Sequence, residues 1–452
     1  MRHYPHIKDS GIEWLGHVPA HWGVLCLKRC AQIFASNVDK KSHTDQIAIF
    51  LCNYVDVYYN DMITRNLVFM EATASEDQID RFSLKAGDTI ITKDSESPDD
   101  IAIPAYVPET LDGVVCGYHL AIVRPVGEVV GRFIKWLFLS AYCKATLGVR
   151  ANGLTRFGLG QYALDNFKFA VPPASEQIAI AAFLDRETAK IDALVAEQER
   201  LIALLAEKRR AVISHAVTKG LDPNAPMKDS GIPWLGEVPA HWEVAAVGYR
   251  YEVQLGKMLD TARQTHEHLR PYLRVQDVQW GSINIEDLPS MDFDEDARKR
   301  YCLLQGDLLV NEGGSYVGRS AVWRGELAEC YYQKALHRLR PISQLSDDPW
   351  FMFYVMIFAT EIGVFIAGGN QTTIDHLTAE SLRAYRFPFP GLAEQRLIVT
   401  WLDRETAKLD ELTAEAERGI ALLKERRAAL ISAAVTGKID VREAVSGEEI
   451  AA

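Results

Sequence analysis

The sequence predicts an α+β fold: two mixed α/β bodies separated by two long helices that pair as an antiparallel coiled coil, all within a pseudo-two-fold internal repeat. Three observations carry that expectation. The chain is written twice, with an offset of about 220 residues. Each copy holds short β-branched and aromatic runs punctuated by Gly, Asp and Pro. Each copy then closes on about forty residues without proline, in which apolar side chains step by three and four.

The repeat is the firmest of these. KDSGIEWLGHVPAHWGV at 8–24 matches KDSGIPWLGEVPAHWEV at 228–244, and only Glu13/Pro233, His17/Glu237 and Gly23/Glu243 differ. EQIAIAAFLDRETAKIDAL from Glu176 matches EQRLIVTWLDRETAKLDEL from Glu394. The first pair is offset by 220 residues and the second by 218, so one unit is repeated almost without slippage. Between these fixed blocks the copies diverge. Traces remain where Val55-Asp56-Val57 aligns with Gln276-Asp277-Val278, Asp88 with Asp307, Arg124-Pro125 with Arg340-Pro341, and Asn152, Thr155 and Leu159 with Asn370, Thr373 and Leu377. Two explanations stay open: drift after duplication, or bodies that read different targets while the frames hold shared partners.

Within the bodies, QIAIFLCNYVDVYY, GDTIITK and VVCGYHLAIVRP read as strands, as do YLRVQDVQW, GDLLVNEG and SAVWRG in the second copy. One apolar helix follows in each, near 132–147 and 350–366. A proline turn closes each body, at Val171-Pro172-Pro173 and at Phe387-Pro388-Phe389-Pro390. The apolar runs are short, and the first contains Lys135 and Lys144, so both read as buried domain helices and not as membrane spans.

The long helices come next. Leu184, Glu187, Ile191, Leu194, Gln198, Leu201, Leu205, Lys208 and Val212 form a candidate heptad seam. In the second copy the seam is Leu402, Glu405, Leu409, Leu412, Ala416, Gly419, Leu423, Arg426 and Leu430. Polar residues recur at the same places, Glu187/Glu405 and Lys208/Arg426. Such residues cost stability but can fix register. Gly419 weakens its helix by roughly 1 kcal/mol relative to Ala. A helix of that length spans roughly 60 Å or more and cannot bury its stripe alone.

The net charge of −12 counts against a simple DNA binder, because phosphate neutralisation needs Lys and Arg. Clustering of basic residues on one face, or a partner that supplies much of the backbone grip, relieves the conflict. The seven cysteines form no C-x-x-C pair and read as scattered thiols of a reducing cytoplasm. The polar start MRHYPHIKDS lacks an apolar h-region, so no signal peptide is expected.

The twinned KDSGI-x-WLG-x-VPAHW blocks, the proline turn followed by Glu176-Gln177 or Glu394-Gln395, and the LDRETAK helices resemble the specificity (S) subunit of type I restriction–modification systems. The likeness covers essentially the whole chain, the bodies only in outline. It implies a target recognition domain at 1–174, a central spacer helix at 175–220, a second recognition domain at 221–391, a C-terminal spacer helix at 392–440, and a short acidic tail at 441–452 that is expected to be disordered. It also implies a subunit that is not an enzyme and binds double-stranded DNA with two methyltransferase (M) subunits and two restriction (R) subunits. S-adenosylmethionine, ATP and magnesium would sit on those partners, and no cofactor or metal on this chain.

The missing motifs agree. No Asn/Asp-Pro-Pro-aromatic tetrapeptide holds a target amine, since Pro172-Pro173 lies between Val171 and Ala174. No phosphate-binding loop occurs, because Gly313–Arg319 lacks the lysine and the spacing. No second carboxylate and lysine follow Pro98-Asp99 at nuclease spacing.

Base reading needs Arg or Lys for guanine and Asn or Gln for adenine; phosphates take Lys, Arg and hydroxyls. The candidates in the first body are Lys93 and Ser95, the loop of Arg150, Asn152 and Arg156, and Lys40 with Lys41. Those in the second are Asn311, Ser315 and Arg319, the loop of Asn370, Gln371 and Thr373, and Lys257 with Arg263. Each could instead be an ordinary polar turn. Trp14, Trp22, Trp234 and Trp242 could stack on bases, but recurrence in the frame assigns them to packing. Asp88 and Asp307 read as turn residues. The alternative function is a stand-alone tandem-domain DNA-binding regulator, which would bind tightly without partners; an enzyme with an unrecognised motif is a third reading.

Overall fold

The computed structural model describes residues 2–258, 267–314, 317–343, 345–365 and 377–444. The fold is α+β, and by packing the chain divides into two units, Met1–Glu199 with Arg418–Ala452, and Arg200–Glu417.

The first unit opens on a hairpin, Ile7–Asp9 against His17–Pro19. Strand Gly23–Cys26 then pairs with Lys168–Val171, so the two ends of the body are stitched together. Inside lies a four-stranded antiparallel sheet in the order Ala31–Ala35, Leu120–Pro125, Thr89–Thr92, Pro104–Tyr106. A three-stranded sheet runs Val114–Cys116, Ile47–Cys52, Met70–Ala74, its first pair parallel. The expected strand over QIAIFLCNYVDVYY stops at Cys52, and Tyr54–Tyr58 is helix α1. Asn53 caps it: the Asn53 N–H donates to Asp56 Oδ2 at 2.6 Å, and this closing bond outweighs the β-propensity of the tyrosines and valines. The apolar helix expected near 132–147 is two helices, α2 (Gly131–Leu139) and α3 (Ala141–Gly148). Ser140 breaks it by turning extended and accepting a bond from the Cys143 N–H. Helix α4 follows over Ala174–Lys219.

The second unit repeats the strand order. Its four-stranded sheet runs Tyr251–Leu255, Leu336–Pro341, Leu308–Asn311, Ser320–Val322, and its smaller sheet Ser290–Asp292, Leu269–Leu273, Tyr331–Tyr332. Asp277 plays the part of Asp56, accepting the Arg274 N–H at 2.7 Å. Helix α5 (Pro349–Glu361) is buried from Phe351 to Ala359, which explains its hydrophobicity on every side. No helix among the described residues is long and apolar enough to cross a membrane. Helix α6 spans Leu392–Val435.

Equivalent contacts tie each body to its long helix. The Trp22 Nε1–H donates to Glu176 at 3.0 Å and the Trp242 Nε1–H to Glu394 at 3.0 Å, with His21 and His241 on the second carboxylate oxygens. The Gln177 Nε2–H donates to the Pro172 carbonyl and that of Gln395 to Pro390, both at 2.9 Å. Asp185 accepts from the Trp136 indole at 3.0 Å and Asp403 from the Tyr354 hydroxyl at 2.6 Å. Arg124 grips Asp88, and Arg340 grips Asp307, through two bonds of 2.7–2.8 Å each. The two aspartates also accept turn N–H groups from Lys85 and Leu304, the turn role their recurrence suggests.

The helix seam lies one residue away from its expected place at alternate positions. The inward side chains are Leu184, Thr188, Ile191, Val195, Gln198, Ile202, Leu205 and Arg209, and in the second copy Leu402, Thr406, Leu409, Thr413, Ala416, Ile420, Leu423 and Arg427. Thr188 and Thr406 can turn inward because each hydroxyl donates back to the carbonyl four residues earlier, Leu184 or Leu402, at 2.7 Å. Glu187 and Glu405 instead hold Lys190 and Lys408 at 2.9 and 2.8 Å on the outer side. Leu194, Leu201 and Leu412, expected in the seam, are exposed.

Candidate nucleic-acid interface

In the first unit the predicted segments come together. Asp94–Ser95 pairs antiparallel with Phe157–Gly158, which joins the Lys93 strand end to the Arg150–Arg156 loop. Asn152 and Gly158 exchange both backbone hydrogen bonds, at 3.1 and 2.9 Å, and pinch that loop shut. Gly153 is required there, since a Cβ would come within 1.8 Å of the Arg156 carbonyl oxygen. The tight turn leaves Arg150, Asn152, Leu154, Thr155 and Arg156 exposed.

Helix α1 supplies the floor of this patch. Burial pushes the Tyr54 phenol up, while the Ser95 hydroxyl and the Arg156 charge beside it pull the other way. Tyr58 stacks on Tyr54 with ring centres 5.4 Å apart and donates to Asp100 at 2.6 Å, a bond that pushes its own pKa up to about 12. Burial raises Asp56, which Lys40 partly offsets, so the Lys40 charge borders the same helix. Lys40 and Lys41 are exposed. His119 bonds Asp94 through Nδ1 at 2.9 Å, beside the half-buried Lys93. The result is a tyrosine-rich surface on which Lys40, Lys93 and Arg156 stand beside the carboxylates Asp56, Asp94 and Asp100. Two first-unit candidates serve the fold: Ser95 is buried and its hydroxyl accepts from the Ser97 N–H, and Arg150 donates to the Ala163 and Asn166 carbonyls at 3.4 Å.

The second unit gathers its candidates differently. Asn311 ends a central strand and is fully buried, its Nδ2–H on the Val275 carbonyl at 3.3 Å, so it supports the loop from beneath and presents no side chain to solvent. The Arg319 guanidinium donates to Gln279 Oε1 at 2.6 Å and is half-buried. Lys257 directs its ammonium to the Asp292 carbonyl and over the Phe293 ring, 4.8 Å from its centre. That internal contact corrects the reading of Lys257 as an open phosphate ligand. Arg263, Ser315, Asn370, Gln371 and Thr373 lie outside the described residues. His337 went unnoticed in the sequence: it is wholly buried, with Nε2 2.6 Å from the Leu377 carbonyl. Nothing in its sequence setting distinguishes it from an alternating strand residue.

The tryptophans split. Trp22 and Trp242 are fully buried, and Trp234, 38% exposed, still packs its ring on Phe358 and Phe387 at 6.2 and 5.8 Å, so packing fails to account only for Trp14, which is 57% exposed.

The family model for the type I restriction modification DNA specificity domain matches residues 252–420. The chain resembles type I restriction–modification specificity subunits. The specificity subunit of the Methanocaldococcus jannaschii type I restriction enzyme MjaVIII is 24% identical over 289 residues, 62% of this chain and 63% of that protein. That of Escherichia coli EcoKI is 22% identical over 354 residues, 75% of this chain and 73% of the relative. Two solved structures share the fold. An HsdS subunit from Thermoanaerobacter tengcongensis superposes with a TM-score of 0.57 at 18% identity, covering 93% of this chain and 98% of that one. A chain from a study of assembly and conformational transition of the type I R-M system gives 0.65 at 18% identity, covering 93% and 99%.

Proposed function

We propose that this chain is the DNA-recognition subunit of a type I restriction–modification complex, without catalysis of its own. Each body reads one half of a bipartite site, and the long helices set the gap between the halves and dock methyltransferase subunits. One observation carries the spacer reading. Arg427 holds Asp192 at 2.9 Å in the first unit, and Arg209 holds Asp410 at 3.3 Å in the second. Asp192 and Asp410 are repeat equivalents, as are Arg209 and Arg427, so one ion pair is made twice with the helices exchanged. That exchange supports antiparallel pairing of the two long helices. The recognition reading rests on the first-unit patch, where Lys40 and Arg156 border the helix of Tyr54 and Tyr58 and a strand pairing brings the Lys93 strand end to the loop of Asn152 and Arg156; Arg150 instead donates to the Ala163 and Asn166 carbonyls. The second body's counterpart includes Arg319 and the segment from Asn370 to Thr373.

Docking of methyltransferase subunits is supported by apolar side chains the helices leave outside. Leu194 and Leu422 are exposed in the first unit, and their equivalents Leu412 and Leu204 in the second. S-adenosylmethionine, ATP and magnesium belong to partner subunits in this reading, restriction subunits join for cleavage, and the complex works on cytoplasmic DNA.

The test is co-expression with a type I methyltransferase subunit, followed by sequencing that reads methylated adenines. One motif of two short blocks with a fixed gap is expected. Unsplit or absent methylation overturns the reading. Inserting residues within α4 and α6 should lengthen the gap and leave both blocks unchanged.

A further inference from the structure

The 17-residue opening block is the most repeated part of the chain, and most of its identical residues have a structural duty. Trp22 and Trp242 fill cores and bind Glu176 and Glu394. The Asp9 and Asp229 side chains accept the Gly11 and Gly231 N–H groups at 3.0 and 2.9 Å. Among the described residues the Trp14 side chain makes no hydrogen bond or ring contact, and Trp234, although its ring packs on Phe387 at 5.8 Å and Phe358 at 6.2 Å, still leaves 38% of its surface exposed. Both stand outward from the same turn, which is closed by the Gly16 N–H to Ile12 and the Gly236 N–H to Ile232 bonds.

Exposure alone does not protect a residue from change in this block. All three positions at which the copies differ, 13/233, 17/237 and 23/243, are exposed in both units. Glu has been exchanged for Pro directly beside the tryptophan. The large exposed indole is nevertheless the same in both copies, although the bodies it adjoins have diverged almost completely.

Each tryptophan borders concave surface. Trp14 separates a groove of about 430 Å³, which includes Leu15, Ala141, Tyr142 and Ala433, from one of about 340 Å³ that includes Val149 and Lys168. Trp234 lines a groove of about 370 Å³ with Ile232, Tyr385 and Arg386. Lys168 and Arg386 are repeat equivalents, and both are exposed. Each unit therefore presents an indole beside concave surface with a cation at the equivalent position, although the smaller first-unit groove also holds Glu13 and Arg150 and the Arg386 guanidinium donates to the Val244 carbonyl at 3.1 Å. An exposed tryptophan beside an apolar groove is the composition of an interface anchor, and a nearby cation favours a carboxylate on the incoming chain.

We propose that Trp14 and Trp234 are twin docking anchors, each seating one methyltransferase subunit through an apolar side chain flanked by a carboxylate. The proposal deepens the reading above and rests on it. The repeat argues for the occupant: two equivalent sites on bodies that read different DNA call for two copies of one partner, and DNA would not demand identity between them.

Native mass spectrometry of the full chain mixed with its methyltransferase subunit tests both levels separately. The unaltered chain should bind two copies; if it binds none, the function reading and this inference both fall. Trp14→Ala and Trp234→Ala should each weaken one of the two sites by at least about 30-fold, as expected for an anchor, and leave a one-to-one complex at submicromolar concentration. The double variant should lose both, and Trp14→Phe should restore most of the binding at its site. Unchanged unfolding temperatures would show that the variants are folded. Variants that still bind two copies with unaltered affinity overturn the proposal. So does loss of self-association without loss of methyltransferase, which would make a second copy of this chain the occupant.

Discussion

Glu176 and Glu394 occupy the same place in the repeat, yet removing their carboxylates should cost different amounts. In the first unit the Glu176 carboxylate accepts the Trp22 indole N–H at 3.0 Å and the Tyr4 hydroxyl at 3.1 Å, with His21 at 2.6 Å; the side chain is 9% exposed. Glu176→Ala leaves two buried donors without an acceptor, at about 1–3 kcal/mol each, so a loss of about 3–5 kcal/mol is expected. Glu394 is 32% exposed and serves Trp242 and His241. The position of Tyr4 is Asn224 in the second copy, and no third donor reaches Glu394 among the described residues. Water can replace the lost acceptor there, and Glu394→Ala should cost about 1–2 kcal/mol. Urea unfolding by tryptophan fluorescence, with hydrogen exchange to assign each loss to its unit, measures both. Equal losses, or a larger one for Glu394→Ala, would refute the view that this carboxylate network holds the first body to its helix.

Other expectations follow from single contacts. Burial lowers the pKa of His337 from its ordinary 6.5, so the unfolded chain takes up the proton first. The stability His337 contributes is whole above pH 6.5 and is lost as pH falls through that value toward its folded pKa; denaturation at pH 7.5 and 5.5 should show a smaller drop for His337→Gln than for the unaltered chain. Arg427→Asp should lose about 1 kcal/mol or less, since the pair is partly exposed, and Asp192→Arg in the same chain should restore it; a double-mutant cycle with no coupling counts against a register-setting pair. Lys93→Ala and Arg156→Ala should each weaken DNA binding by the assembled complex and flatten its salt dependence by about one counterion, whereas Lys257→Ala should act on stability; titration at several salt concentrations separates the outcomes.

Much of this was legible in the sequence because repetition exposes what a frame is for. The twinned Glu-Gln, His-Trp and Asp…Arg residues became paired contacts in both units, and the proline turns closed both bodies where expected. The seam of the helices was misplaced by one residue at alternate positions because Leu is more hydrophobic than Thr, and periodicity alone cannot foresee a threonine that satisfies its hydroxyl on its own backbone. For the same reason the α1 segment read as strand: Tyr and Val speak for β-structure, and a single capping box decides otherwise. The candidate recognition residues were the least legible. Lys93, Asn152 and Arg156 meet through a two-residue strand pairing that no local pattern announces, while Ser95, Asn311 and Lys257 have the right chemistry but are committed to burial or to internal partners.

The central claim is that the two heads read DNA independently at the ends of a fixed spacer. Exchange of residues 30–170 for the corresponding body of another specificity subunit tests it most directly, with adenine methylation mapped across a genome by long-read sequencing. One block of the recognised motif should change, while the other block and the gap between them stay as they were. A hybrid that altered both blocks, or the gap, would contradict the account.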